Sequence, residues 1–236
     1  MIPKLVTFDC AGTLVEVPPG WTLGQFAVDC ANHIGLTVGE AAAETYQSLY
    51  MARIMEFVHV NMARDTALQT SFWTRLATDW LTAIQMPTDR LVEMQDAADE
   101  LGFGPNSIVF SLYDDVVECL DRLEAMGVQL AVISNWDYSL HRVLRMFGLY
   151  ERFVVVTASL EEGVEKPDPR LFEITLSRAG FEPKDVLHVG DDPVDDIQGA
   201  EAAGIRSIKI DRSVVVSEYP VIKSLLDLPE ALAWTA

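Results

Sequence analysis

The residues able to do chemistry fall in four short clusters. Phe8-Asp9-Cys10-Ala11-Gly12-Thr13-Leu14 sets a carboxylate where an apolar run ends. A carboxylate there acts as a nucleophile or as a metal ligand. Ser134-Asn135 follows the apolar run Val128–Ile133 and offers a hydroxyl and an amide. Glu165-Lys166-Pro167-Asp168-Pro169 carries a lone lysine pinned by two prolines. Gly190-Asp191-Asp192-Pro193-Val194-Asp195-Asp196 packs four carboxylates into six positions. Singly, each has an ordinary explanation. Asp9 could close a turn, Ser134 and Asn135 could be plain strand exits, and Lys166 could be a solvated loop residue. Asp168 reads as the N-cap of a helix opened by Pro169, and Asp195 or Asp196 as a cap of the helix that follows. Together they read differently, because carboxylates brought to one place repel unless a cation joins them. A hard divalent ion with oxygen ligands, magnesium above all, resolves that repulsion.

Those clusters need a scaffold, and the hydrophobic pattern supplies one. Residues 4–9 are short, apolar and β-branched, as in a buried strand. From residue 112 onward helix and strand alternate. The stripe Val116, Val117, Leu120, Leu123 and Met126 stops at Gly127; strand Val128–Ile133 follows; the helix of Leu140, Val143, Leu144 and Phe147 stops at Gly148. Strand Phe153–Val156, helix Pro169–Ala179, strand Val186–Val189, a helix from Ile197 to Ala203 and strand Ile205–Ile210 complete the series. Buried runs alternating with amphipathic helices predict an α/β fold, a Rossmann-like doubly wound parallel sheet. Ligands in such sheets bind outside the carboxyl ends of the strands, where all four clusters stand.

Between about residues 20 and 105 the character changes to helical spacing rich in Ala, Leu and Met. Leu49, Ile54 and Phe57, then Phe72, Leu76 and Leu81, mark apolar helix faces, and Gly102–Pro105 closes the block. The expected division is an α/β core from residues 1–16 and 106–236, with an inserted all-helical domain at 17–105.

Composition narrows the function classes. The chain has 236 residues, half of them hydrophobic, with 36 acidic and 17 basic residues and a formal charge of −19. This argues against disorder, nucleic acid and anionic membranes as partners. A small phosphate ester is not excluded, since one lysine or a metal ion answers its charge locally. Three cysteines, Cys10, Cys30 and Cys119, form no C-x-x-C pair and read as free thiols of a reducing, cytoplasmic compartment. No apolar stretch is long enough for a membrane helix. Met1–Val6 runs straight into the first strand, so no signal peptide is expected. The oligomeric state is not legible.

The four clusters, in this order, resemble the motifs of the haloacid dehalogenase (HAD) superfamily of hydrolases, over most of the chain outside the helical block. The resemblance implies a Rossmann-like core with residues 17–105 as a helical cap. It implies Asp9 as the nucleophile of a covalent aspartyl intermediate, with Ser134 and Lys166 holding the transferred group. Thr13 and Asn135 become candidate substrate contacts. Magnesium is expected on Asp9, the carbonyl of Ala11 and Asp191, with Asp196 supporting the metal or orienting Lys166.

Position 11 departs from the family's phosphatases, which usually carry a general-acid aspartate there. Alanine cannot move a proton, a function worth about 10²–10⁴ in rate. Alanine at this place resembles phosphonoacetaldehyde hydrolases, but those need a cap lysine and residues 17–105 contain none. Haloacid dehalogenases also lack the acid, yet the acidic Gly190–Asp192 segment suits a metal they do not use, and the bulky aromatic usual at position 11 is missing. Arg53, Arg64, Arg75 and Arg90 could bind a carboxylate, though exposed helix arginines are the commoner case. Cys10 is a poor rival nucleophile, since strand alternation turns it into the core. Asp137 could supply a substitute acid but reads better as a helix cap, and His33 and His59 lie in the helical block. The leading expectation is a magnesium-dependent hydrolase of small phosphate monoesters. A metal-independent 2-haloacid dehalogenase and a catalytically weakened ligand- or protein-binding member are the alternatives.

Overall fold

The computed structural model describes residues 2–213 and 220–232. The chain forms two compact units, one from residues up to Glu16 together with Leu112 onward, the other from Val17–Ser111.

The first unit is built on a six-stranded sheet. Its strands are β1 (Leu5–Phe8), β2 (Gln129–Ser134), β3 (Val155–Ala158), β4 (Val186–Gly190), β5 (Arg206–Ile210) and β6 (Val221–Ile222). They lie in the order β3-β2-β1-β4-β5-β6, every neighbouring pair parallel. β1 and its neighbour β4 are buried along their whole length, as central strands are, and β2 is buried except at Gln129. Strands covered on both faces tolerate such continuous apolar runs. One face buries Leu5, Ala131, Ile133 and Val186 against Leu171, Phe172 and Leu176. Those three belong to the helix Pro169–Ala179, which starts on Asp168, whose carboxylate accepts from the Arg170 N–H, and ends at Gly180. Helix Val116–Ala125 buries Val116, Leu120 and Leu123 of the stripe read from the sequence, with Cys119 in place of the exposed Val117 and Met126. Helix Ser139–Met146 buries Leu140, Val143 and Leu144, while Phe147 is half-buried.

The third strand lies two residues later than its apolar run suggested. Tyr150–Arg152 form a single 3₁₀ turn, Phe153 turns inward, and Val154 is exposed while its N–H bonds the Leu130 carbonyl at 2.8 Å. Strand β6 was not foreseen; two residues give too short a pattern to read.

The second unit contains helices α1 (Leu23–His33), α2 (Ala42–Ala52), α3 (Ile54–Ala63), α4 (Thr66–Ala83) and α5 (Leu91–Phe103). Phe57, Phe72, Leu76, Trp80 and Leu81 are fully or almost fully buried in its core, whereas Leu49 and Ile54 are only half-buried. Thr22 and Asp65 cap α1 and α4 through their side chains. The unit runs past the Gly102–Pro105 breaker to Ser111 because the chain folds back there: Ser107 Oγ donates to the Gly102 carbonyl at 2.8 Å and the Ile108 N–H to Leu101 at 2.9 Å.

Candidate active site

Asp9 follows β1, and its N–H extends the ladder to the Val189 carbonyl at 2.9 Å. The next residues then curl back. The N–H groups of Leu14 and Val15 both donate to the Cys10 carbonyl at 2.8 Å, and that of Gly12 to the Val15 carbonyl at 2.8 Å. Gly12 sits at φ +80°, and a Cβ on it would lie 2.5 Å from Asp191 Oδ2. Glycine here satisfies both the turn and the close approach of a carboxylate. Cys10 points into the core and is fully buried; burial pushes its thiol well above the usual value, which leaves it inert. The Ala11 side chain is exposed.

Two donors converge on one oxygen of Asp9. Ser134 Oγ at the end of β2 donates to Oδ1 at 3.1 Å, and Lys166 Nζ donates to the same atom at 2.6 Å. All three side chains are buried, Asp9 6% exposed, Ser134 1% and Lys166 3%. Lys166 also donates to Asp196 Oδ1 at 2.5 Å. Burial opposes charge on Lys166, but Asp9 and Asp196 outweigh it and hold its pKa above the ordinary lysine value. Asp9 is pushed up by burial and by the charge of Asp196, against the pull of Lys166.

Asn135 is exposed, yet its amide engages the backbone of the lysine loop. Its Oδ1 accepts from the Lys166 N–H at 2.8 Å, and its Nδ2 donates to the Lys166 carbonyl at 2.9 Å and to Asp195 Oδ2 at 3.1 Å. This clamps the loop that presents the lysine. Thr13 is fully buried; its Oγ1 has no hydrogen-bond partner among the described residues, and its carbonyl accepts from Arg212 at 3.1 Å. Arg212 in turn pairs with Asp115 at 2.5 and 3.0 Å and lies over the Tyr113 ring.

The four clustered aspartates divide their work. Asp192, not Asp195 or Asp196, caps the helical segment that follows, accepting from the N–H groups of Val194 and Asp195 at 2.7 and 2.8 Å. That segment, Pro193–Gln198, is wound as a π-helix, a looser spacing that a 3.6-residue pattern does not anticipate. Asp195 turns to Asn135. Asp191 and Asp196 join Asp9, and one carboxylate oxygen from each lies within 4.8 Å of the others. Asp196 is almost fully buried yet held well below the carboxylate range: His188 and Lys166 together overcome the cost of burial. Asp191 keeps a solvent-exposed face; burial of the remainder, with the charges of Asp9 and Asp196, lifts its carboxyl to about 7. Gly190 has no room for a Cβ, because the Asp196 carboxylate stands against its backbone.

Sequence reasoning missed His188, which is fully buried in β4. Its Nε2 lies 3.1 Å from Asp196 Oδ1 and its Nδ1 lies 2.9 Å from Thr7 Oγ1. The signal was a single polar residue inside each of two central apolar runs. Asp137 accepts from the Ser139 N–H at 2.6 Å, as a helix-starting residue does, and burial raises its carboxyl. His59 is exposed, and His33 stands beside Glu100 at 3.4 Å.

Asp9 after β1, Ser134 at the end of β2, Asp191 after β4 and Lys166 from the loop before the helix Pro169–Ala179 thus bring a carboxylate, a hydroxyl, an acidic group and a buried amine to the carboxyl edge of a parallel sheet. The model of the haloacid dehalogenase-like hydrolase family matches residues 3–204, and the chain belongs to that family. It is 31% identical over 216 residues to the human haloacid dehalogenase-like hydrolase domain-containing protein 3, covering 88% of this chain and 81% of that protein. It is 31% identical over 159 residues to a phosphoserine phosphatase of Thermus thermophilus, covering 61% of this chain and 64% of that one. Among solved structures, a 2-haloacid dehalogenase from Pseudomonas syringae pv. Tomato DC3000 superposes with a TM-score of 0.68 at 29% identity, covering 99% of this chain and 100% of that chain.

Proposed function

We propose that this hydrolase is a magnesium-dependent phosphatase of small phosphate monoesters that works through a covalent intermediate on Asp9. The observation that carries this is the convergence of Lys166 and Ser134 on Asp9 Oδ1. A buried cation and a hydroxyl beside the carboxylate are placed to hold the oxygens of a transferred phosphoryl group. The Asp9 carboxylate attacks phosphorus, the P–O bond to the leaving group breaks, and an acyl phosphate forms. Water then attacks that phosphorus, releasing inorganic phosphate and restoring Asp9. Thr13, whose buried hydroxyl has no hydrogen-bond partner among the described residues, is read as a further phosphoryl contact. Asn135 is read as a residue that fixes Lys166.

The residues suit a hard divalent cation. Three mutually repelling carboxylates, one with its pKa lifted to about 7, form a site whose charge a cation would relieve. Asp9, the Ala11 carbonyl and Asp191 would hold it, and Asp196 would stand behind as the partner of Lys166. The ion would supply charge neutralisation, letting an anionic ester approach an anionic nucleophile. The all-helical unit is read as the substrate-selecting cap of the family. The three buried free thiols favour a cytoplasmic setting.

A second reading draws on the likeness to the 2-haloacid dehalogenase and on Ala11, since a departing halide needs no proton. The acidic cluster weighs against it. A screen of phosphate esters and 2-haloacids, each with magnesium and with chelator, decides. Hydrolysis of an ester that chelator abolishes supports the phosphatase; halide release that chelator leaves untouched overturns it. No turnover in either series would favour a weakened, ligand-binding member.

A further inference from the structure

His188 is fully buried, belongs to none of the family-like clusters, and connects to Asp9 through Asp196 and Lys166. A hydrogen-bonded chain runs through it: Thr7 Oγ1 to Nδ1 at 2.9 Å, Nε2 to Asp196 Oδ1 at 3.1 Å, Asp196 Oδ1 to Lys166 Nζ at 2.5 Å, and Nζ to Asp9 Oδ1 at 2.6 Å. Chemistry gives the chain a direction. The Asp196 carboxylate only accepts, so Nε2 must carry a hydrogen. The Thr7 hydroxyl has one proton, and its other acceptor, the Leu187 carbonyl at 3.5 Å, is beyond good hydrogen-bond range. In a ring whose one hydrogen is on Nε2, Nδ1 is bare, and the hydroxyl at 2.9 Å donates to it in preference to the more distant carbonyl. Thr7 and His188 are cross-strand partners in the β1–β4 register, and the Phe172 ring meets the imidazole edge-on with centroids 5.1 Å apart. Two polar contacts and one ring contact thus hold the imidazole.

We propose that His188 is a positioning residue: as the Nε2–H tautomer set by Thr7, it locks the Asp196 carboxylate and so keeps Lys166 Nζ aimed at Asp9. Asp196 receives Lys166 and His188 on Oδ1 and the Asp192 N–H on Oδ2 at 3.0 Å. Without His188 its Oδ1 keeps a single donor, and the carboxylate can rotate and carry the lysine with it. The kinetic consequence rests on the Asp9 reading above; the tautomer does not.

The test uses the full chain in two arms. In the first, ¹⁵N NMR of the imidazoles, with His188 assigned by the signal lost in His188→Gln, reads the tautomer directly. Protonated Nε2 with bare Nδ1 is expected, and Thr7→Val should broaden or shift the Nδ1 signal. An Nδ1–H tautomer, a doubly protonated ring, or no response to Thr7→Val overturns the proposal. In the second, turnover of p-nitrophenyl phosphate should fall about 10- to 100-fold in kcat for His188→Leu, with KM within about threefold, because orientation rather than binding is lost. His188→Gln, which keeps an N–H at the distal position, should recover to within about fivefold of wild type. A folded His188→Leu with wild-type kcat, or a glutamine variant no better than leucine, overturns the proposal. Should the leucine variant not fold, Thr7→Val carries the kinetic arm, expected at about a 3- to 10-fold loss of kcat; wild-type kcat there would overturn it. A wild-type protein inactive on every ester refutes the phosphatase reading alone, and the NMR arm still decides the geometry.

Discussion

Gly12 and Asp191 are packed so tightly that a methyl group on the glycine would overlap all three carboxyl atoms of the aspartate, at 2.5 to 2.9 Å. The turn after the first strand and the acid after the fourth are therefore one unit. Gly12→Ala should displace Asp191 and also force a left-handed backbone on alanine, at about 1–3 kcal/mol. A fall in melting temperature is expected, with magnesium affinity reduced at least about tenfold, read by thermal denaturation and calorimetry. Unchanged magnesium affinity would remove Asp191 from the proposed ligand set.

Asp9→Asn keeps the side chain's shape and removes its nucleophilic charge. Turnover of any phosphate ester should drop to background while the fold survives. Because burial already disfavours the Asp9 charge, the variant should be as stable as wild type or more so in chelator. Retained turnover would exclude a covalent route through this residue.

The absence of an acid at position 11 should appear as leaving-group dependence. Aryl and acyl phosphates should be hydrolysed far faster than alkyl ones, because a poor leaving group departs only when protonated. Ala11 is exposed, so Ala11→Asp has room for its carboxyl. The gain should be largest for alkyl esters, within the roughly 10²–10⁴ range of general acid–base catalysis, and small for aryl ones. A folded variant with an unaltered preference would show that the alanine is not the cause.

The lifted carboxyl of Asp191 fixes the sign of a pH effect. Its pKa is near 7 in the metal-free fold and about 3.9 in an unfolded chain, so between these values the folded protein holds the extra proton. Stability in chelator should therefore be highest near pH 4 and decline as pH rises to 7, then level. Asp196, held well below the usual range, cannot produce this slope, since its contribution is already complete above about pH 4. Magnesium should raise the melting temperature more at pH 8 than at pH 6, and Asp191→Asn should flatten both trends. A metal-free protein that gains stability from pH 5 to 7 would contradict the assignment.

How much of this could be read from the sequence depends on whether the information was local. Asp9, Ser134 and Asp191 stood out because each follows a short apolar run, and Lys166 because prolines at 167 and 169 pin its loop. The doubly wound sheet was legible for the same reason. The division of labour among Asp191, Asp192, Asp195 and Asp196 was not, because a π-wound turn rotates successive side chains differently from an α-helix. Nor was the pairing of Thr7 with His188. It depends on how two strands 181 residues apart align, and each residue alone looks like a tolerated polar position in a core. Asn135 was visible, but its engagement with the Lys166 backbone was not.

Asp115 gives the far end of the chain a part in the chemistry. Its carboxylate gathers Arg212, the Ser224 hydroxyl at 2.8 Å and the Leu225 N–H at 2.9 Å, and Arg212 passes the connection to the carbonyl of Thr13. All three of those partners lie beyond residue 204, where the family match stops. The bracing of the turn after β1 therefore draws on residues outside the matched family region. A chain trimmed to the matched region would keep every acidic and basic group of the site, but lose strands β5 and β6 and with them the strut that braces the turn carrying Thr13.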